Sequence, residues 1–135
     1  MEWRNKMDKS LIKVLVVEDD KFAQMVARNL GQQLNCSIDI ASTATEALEK
    51  TNINKYALIF MDIGLGETDG FTVTRAIKAN SLNQETPIIA LTAHNSEEYL
   101  KQAALSGMAK FITKPLLKDK VLELLNTYAL RPMEV

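Results

Sequence analysis

Four hydrophobic runs in this chain each stop at a residue that can do chemistry. The run at 14–17 gives way to Glu18, Asp19 and Asp20, that at 57–61 to Asp62, that at 88–91 to Thr92, and that at 111–113 to Lys114. The first three are short, nearly continuous and rich in Val and Ile, as strands covered by helices on both faces should be. If the four lie parallel in one sheet, their carboxyl ends share an edge. The acids, the hydroxyl and the ammonium then converge in one crevice.

The stretches between the runs carry helical spacing. Phe22, Met25, Val26, Leu30 and Leu34 predict a first helix, capped by Asp20. Thr43 and Glu46 have capping-box spacing and open a second helix that ends near Asn52. Val73, Ala76 and Ile77 mark a third. A fourth starts at Asn95 or Ser96 with Glu97 and Glu98 in its first turn and closes at Gly107; its stripe of Leu100, Ala103 and Ala104 is thin enough to leave much of it exposed. Leu117, Val121, Leu124, Leu125 and Tyr128 give the last helix a wide stripe before Arg131 and Pro132. The alternating segment 37–41 and the partly apolar 110–113 suit the two sheet edges. Together these features predict an α/β chain, five βα units in a doubly wound parallel sheet.

Length and charge narrow the function. A chain of 135 residues fits one domain. Residues 1–10 read as a leader, 11–128 as the domain and 129–135 as a C-terminal tail. With 16 Lys and Arg against 17 Asp and Glu, no global field draws it to nucleic acid or to an anionic membrane. Cys36 is the one cysteine, which excludes an internal disulfide and starves a zinc site of ligands, so a reducing cytoplasm is the expected setting. No apolar stretch has the length of a membrane span.

Glu18, Asp19 and Asp20, joined by Asp62, would repel one another. Each contact at about 4 Å costs on the order of 4 kcal/mol at an effective dielectric near 20. A divalent cation relieves this, and carboxylates without His or Cys favour Mg²⁺ or Mn²⁺. Asp62 can then attack a phosphoryl donor to form an acyl phosphate, Thr92 can donate to a phosphoryl oxygen, and Lys114 can supply a compact positive charge. Each residue alone has a plain reading as cap, turn, strand former or solvated lysine; their placement at successive strand ends favours the shared one. His94, the one histidine, reads first as an exposed loop residue and second as a group that gates water near an acyl phosphate.

Glu18-Asp19-Asp20, Asp62 followed by Asp69-Gly70, Leu91-Thr92-Ala93 and Lys114-Pro115 resemble the receiver domain of two-component response regulators, the CheY-like family. The resemblance covers about residues 11–128. It implies the flavodoxin-like strand order 2-1-3-4-5, Asp62 as phosphoacceptor, and Mg²⁺ (or Mn²⁺) held by Asp19, Asp62, the carbonyl of Gly64 and, through water, Glu18. Asp20 is left as a cap. Thr92 and Lys114 would bind the phosphoryl group, and Thr92 and Phe111 would form the switch that alters the face of the fourth helix, fifth strand and fifth helix. It also implies a cis Lys114-Pro115 peptide. Phe111 stands in place of a more familiar Tyr and lacks its hydroxyl. Gly66 stands where Pro is common, which predicts a looser loop. Gly64 and His94 occupy positions that tune dephosphorylation.

The expected function is therefore a phosphoacceptor switch fed by a phosphohistidine, on a histidine kinase or a histidine phosphotransfer protein, and catalysing only its own phosphorylation and dephosphorylation. Nucleic-acid binding and membrane insertion are not expected, and the chain should be a monomer or weak homodimer. The segment 87–94 and Gly107-Met108 resemble receivers of hybrid histidine kinases more than those of transcription factors, and a free-standing regulator is the other setting. Two rivals remain, a phosphate-independent interaction module of the same fold and an Mg²⁺-dependent aspartyl-phosphate phosphatase. The second fits poorly, since the chain lacks an Asp-x-Asp after its first strand and the length for a cap.

Overall fold

The continuous apolar runs form the inner strands of a sheet buried on both sides. The computed structural model describes residues 12–66, 68–93 and 97–129. Its strands are β1 (Lys13–Val17), β2 (Ser37–Ala41), β3 (Leu58–Asp62), β4 (Ile88–Thr92) and β5 (Lys110–Thr113). They alternate with α1 (Lys21–Leu34), α2 (Ala44–Ile53), α3 (Gly70–Asn80), α4 (Glu97–Ser106) and α5 (Lys118–Leu124), and a π-helical turn over Leu125–Ala129 continues α5. All ladders are parallel in the order β2-β1-β3-β4-β5, as expected, with the alternating strand at one edge and the partly apolar one at the other.

Alternate residues of each strand feed two cores. Leu15, Val17, Ile59, Met61, Ile88 and Ala90 face the side on which Ala47, Val73, Ile77 and Ala103 pack. Val14, Val16, Leu58, Phe60, Ile89 and Leu91 face Ala27, Leu30, Leu34, Val121 and Leu124. Double coverage is what erases the polar-apolar alternation in β1, β3 and β4.

Register sets the site. Val17 pairs with Met61, so Glu18 stands one step further, level with Asp62. Asp62 pairs with Leu91, which puts Thr92 one step beyond, and Thr92 pairs with Thr113, which puts Lys114 one step beyond again. Sheet pairing alone thus brings the strand-end residues to one edge.

Two helix faces differ from expectation. On α1 the buried residues are Gln24, Ala27, Leu30, Gly31 and Leu34, while Phe22 and Met25 are 68% and 49% exposed. The helix is rotated because Gly31 must meet β2: a Cβ there would collide with the Ile38 side chain. On α5, Leu117 is the N-cap residue and 60% exposed, while Val121, Leu124 and Leu125 are buried. A residue at a helix start does not yet point along the stripe that the following turns define. Other expectations hold where the described residues test them; the expected start of α4 at Asn95 or Ser96 lies outside them. The thin stripe of α4 leaves Leu100 and Leu105 in solvent, and Gly107 ends that helix at φ +99°. In α2 the Thr43 hydroxyl accepts from Glu46 N at 3.1 Å. The Glu46 carboxylate, however, takes the N–H of Ser42 at 2.6 Å rather than that of Thr43.

At the opposite end of the sheet, buried Asn83 satisfies its whole side-chain amide. Its oxygen accepts from Tyr56 N and the Thr86 hydroxyl, and its nitrogen donates to the carbonyls of Thr51 and Asn54. Thr74, fully buried in α3, contrasts with it, because its hydroxyl has no hydrogen-bond partner. Thr74→Val exchanges that hydroxyl for a methyl of the same shape and is expected to stabilise the fold by about 1 kcal/mol. Urea unfolding checks this as a higher midpoint at unchanged slope. A lower midpoint would mean that the hydroxyl is satisfied.

Candidate functional site

Where β1 ends, the chain does not turn away at once. Glu18 N still donates to Ala41 O at 2.9 Å, which keeps Glu18 at the sheet edge and 1% exposed. Its carboxylate accepts from Asp20 N at 3.0 Å. Asp20 itself turns to α1 and caps it, accepting from Ala23 N at 2.8 Å. Asp62, 5% exposed, ends β3 and accepts from Gly64 N at 2.9 Å. Glu18, Asp19 and Asp62 bring carboxylate oxygens within 4.8 Å of one another, a group that leaves out Asp20.

One ammonium bridges this cluster. Lys114 Nζ lies 2.9 Å from Glu18 Oε1 and 3.1 Å from Asp62 Oδ2. Its backbone N–H donates to Thr92 O at 2.8 Å, which ties the end of β5 to that of β4. The Lys114-Pro115 peptide is cis, as expected. Thr92 is buried and lines the same crevice of about 480 Å³ as Glu18, Asp19, Asp62, Gly64 and Lys114.

The electrostatics follow from burial. Burial pushes the Glu18 carboxyl above its ordinary 4.5, and the negative charge of Asp62 adds to this, while Lys114 and Asp20 N oppose it. Burial works against the Lys114 ammonium too, but its hydrogen bond to Glu18 and its attraction to Asp62 prevail and raise it above 10.5. The two signs have different consequences. The stability that Glu18 contributes is complete below pH 4.5 and is lost as pH rises through its raised value; that of Lys114 persists until the alkaline range.

The donor set fits a hard divalent cation. It is oxygen only, with three carboxylates and neither His nor Cys among them, which suits Mg²⁺ or Mn²⁺. The carbonyl of Gly64 accepts Gly66 N–H at 3.2 Å and keeps a second lone pair. Gly66 has φ +49°, a value closed to proline. Within the loop Gly66 N donates to Gly64 O, Thr68 N to Leu65 O and Gly70 N to Ile63 O. Gly70 is needed here, because a Cβ would strike the carbonyl oxygen of Asp62.

Phe111, the expected switch residue, is half-buried and packs against the core on the Leu15 face. His94, Asn95 and Ser96 lie outside the described residues, as do the leader and most of the tail. Sequence reasoning missed Phe71 and Tyr99, whose rings line the crevice with centroids 6.4 Å apart. It also missed Gln24, whose spacing with Ala27, Gly31 and Leu34 was a signal that an apolar count passes over.

Comparison with known proteins agrees with this geometry. A family model described as the response regulator receiver domain matches residues 14–126. The chain is 32% identical over 142 aligned residues to Histidine kinase 5 of Arabidopsis thaliana, covering 86% of this chain and 15% of that protein. It is 32% identical over 123 residues to the osmosensing histidine protein kinase SLN1 of Saccharomyces cerevisiae, covering 87% and 10%. It therefore spans a small part of the curated relatives it matches. Among solved structures, the receiver domain of sensor histidine kinase PA1611 from Pseudomonas aeruginosa, with a magnesium ion coordinated in its active-site cleft, is 26% identical at a TM-score of 0.79, covering 87% of this chain and 96% of that one.

The bridging ammonium makes a direct prediction. Lys114→Met leaves Glu18 and Asp62 facing each other, and the Lys114 side chain is 29% exposed, so the loss at pH 7 is expected to be about 1–3 kcal/mol rather than the full cost of a buried pair. Chemical denaturation should show the loss shrinking as the pH is lowered from 7 through the raised Glu18 value, and on addition of Mg²⁺. A loss that stays constant over that range would mean that Lys114 acts by packing.

Proposed function

The chain belongs to the response regulator receiver domain family, and from that premise we propose that Asp62 is the phosphoacceptor of a two-component phosphorelay. The observation that carries this is the shared ammonium. Lys114 holds Glu18 and Asp62 together at the mouth of a crevice that Asp19 and Thr92 also line. A site built to gather negative charge around one nucleophilic carboxylate suits phosphoryl transfer better than any structural role.

In the proposed reaction an Asp62 carboxylate oxygen attacks the phosphorus of a phosphohistidine. The P–O bond forms as the P–N bond breaks, and the imidazole leaves to take up a proton. Mg²⁺, held by Asp19, Asp62 and the Gly64 carbonyl, with Glu18 acting through water, would neutralise the charge brought in by the phosphoryl group. Lys114 moves from its shared contact to a phosphoryl oxygen, and the Thr92 hydroxyl donates to another. Displacement of Thr92 towards the phosphate opens room for Phe111 to turn inward, which changes the surface of α4, β5 and α5.

The histidine kinase relatives support a histidine kinase domain or a histidine phosphotransfer protein as donor, and a receiver within a hybrid kinase as the setting. We place the domain at about 11–128, read the chain as catalysing only its own phosphorylation and dephosphorylation, and assign it to the cytoplasm as a monomer or weak homodimer. Among the described residues no helix is long and apolar enough to cross a membrane.

Intact mass after incubation with acetyl phosphate and Mg²⁺ tests the reading. One phosphate is expected on the wild type, and none on Asp62→Asn or on the wild type with Mg²⁺ chelated. An adduct that survives in Asp62→Asn would move the acceptor elsewhere, and no adduct on the wild type at short reaction times would favour a phosphate-independent module.

A further inference from the structure

Gln24 is 2% exposed on a helix face otherwise made of Ala27, Leu30, Gly31 and Leu34. A buried amide is costly unless it is bonded, so a polar group at this position needs a local reason. Its Nε2 supplies one, donating to Glu18 O at 2.6 Å and to Ser42 Oγ at 2.9 Å, which uses both of its hydrogens. Ser42 is itself fixed, its N–H donating to Glu46 Oε1 at 2.6 Å. Glu18 N donates to Ala41 O. The peptides on both sides of Glu18 are therefore pinned to the end of β2, one from the strand and one through Gln24. The peptide that Gln24 holds is the one joining Glu18 to Asp19, whose rotation would swing the exposed Asp19 carboxylate away from Glu18 and Asp62.

We propose that Gln24 is the positioning residue of the cation site, holding the Glu18-Asp19 peptide so that the Asp19 carboxylate meets those of Glu18 and Asp62. It touches neither cation nor phosphate and acts through the main chain. The role rests on the reading of Glu18, Asp19 and Asp62 as the cation-binding group. Gln24 also joins the acidic turn to the loop that starts α2, so three elements converge on one side-chain nitrogen.

The test is Mg²⁺ affinity by calorimetry for the wild type, Gln24→Met and Ser42→Ala. Gln24→Met keeps length and burial but removes the donor, and its affinity is expected to fall about tenfold, as for other residues that orient metal ligands. Ser42→Ala removes one acceptor, leaves the bond to Glu18 and serves if the first variant folds poorly; a smaller fall in the same direction is expected. Labelling of Gln24→Met by acetyl phosphate should be slow at low Mg²⁺ and recover as Mg²⁺ approaches saturation, a split that loss of core packing would not produce. Affinities within about twofold of wild type in both variants would overturn the proposal, whatever happened to their unfolding midpoints. If the wild type itself took up no Mg²⁺, the cation-site reading would fall and this role with it; wild-type binding with unchanged variants would remove the positioning role alone.

Discussion

Two carboxylates buried side by side at the end of a parallel sheet are the constraint to which the rest of the site answers. Glu18 and Asp62 stand level because Val17 pairs with Met61, and the core on both faces leaves no slack for either to withdraw. At such distances their repulsion is worth about 4 kcal/mol at an intermediate dielectric. Lys114 offsets it from β5, across Thr92, with its ammonium about 3 Å from each. Among the described residues one ammonium contacts two acids of a group of three, which leaves the site poised to accept a cation. The proposed phosphoryl chemistry would be a use of that imbalance.

Much of this was legible in the sequence because the signal is topological. Strand ends marked by Glu18, Asp62, Thr92 and Lys114 needed only a parallel sheet to converge, and unbroken apolar runs supplied the sheet. The edge strands were legible from composition, and Asp20, Thr43 and Gly107 from capping chemistry. What failed was rotation about helix axes. Phe22, Met25 and Leu117 were counted as buried because they are apolar, but the face of α1 is chosen by the approach of Gly31 to Ile38, and Leu117 sits before the first turn of α5. The same habit hid Gln24, which is buried because it is polar, its amide answering a carbonyl and a hydroxyl that the acidic turn and the β2 end leave inside.

The scaffold is unevenly committed. The β1, β3 and β4 ends are held by the ladder, the Gln24 bridge and the closed loop after Asp62. The β5 side is looser, with Phe111 half-buried and Leu100 and Leu117 exposed beside it. A crevice lined by Leu100, Phe111, Pro115 and Leu117 runs along this side. The residues proposed as nucleophile and cation ligands, and the proposed switch residue Thr92, thus sit on the held side, while its proposed partner Phe111 sits where packing leaves room to move, as a two-state element requires.

The central claim is that the acidic pair is frustrated until a cation arrives, and the Glu18 carboxyl carbon reports on it directly. Its titration should be followed by NMR with selective labelling, in the absence and presence of saturating Mg²⁺. The account predicts a midpoint above the ordinary 4.5 in the metal-free chain and a clear fall on adding Mg²⁺, because the cation takes over the neutralising role that Lys114 shares between two acids. A Glu18 midpoint that Mg²⁺ leaves unmoved would contradict it.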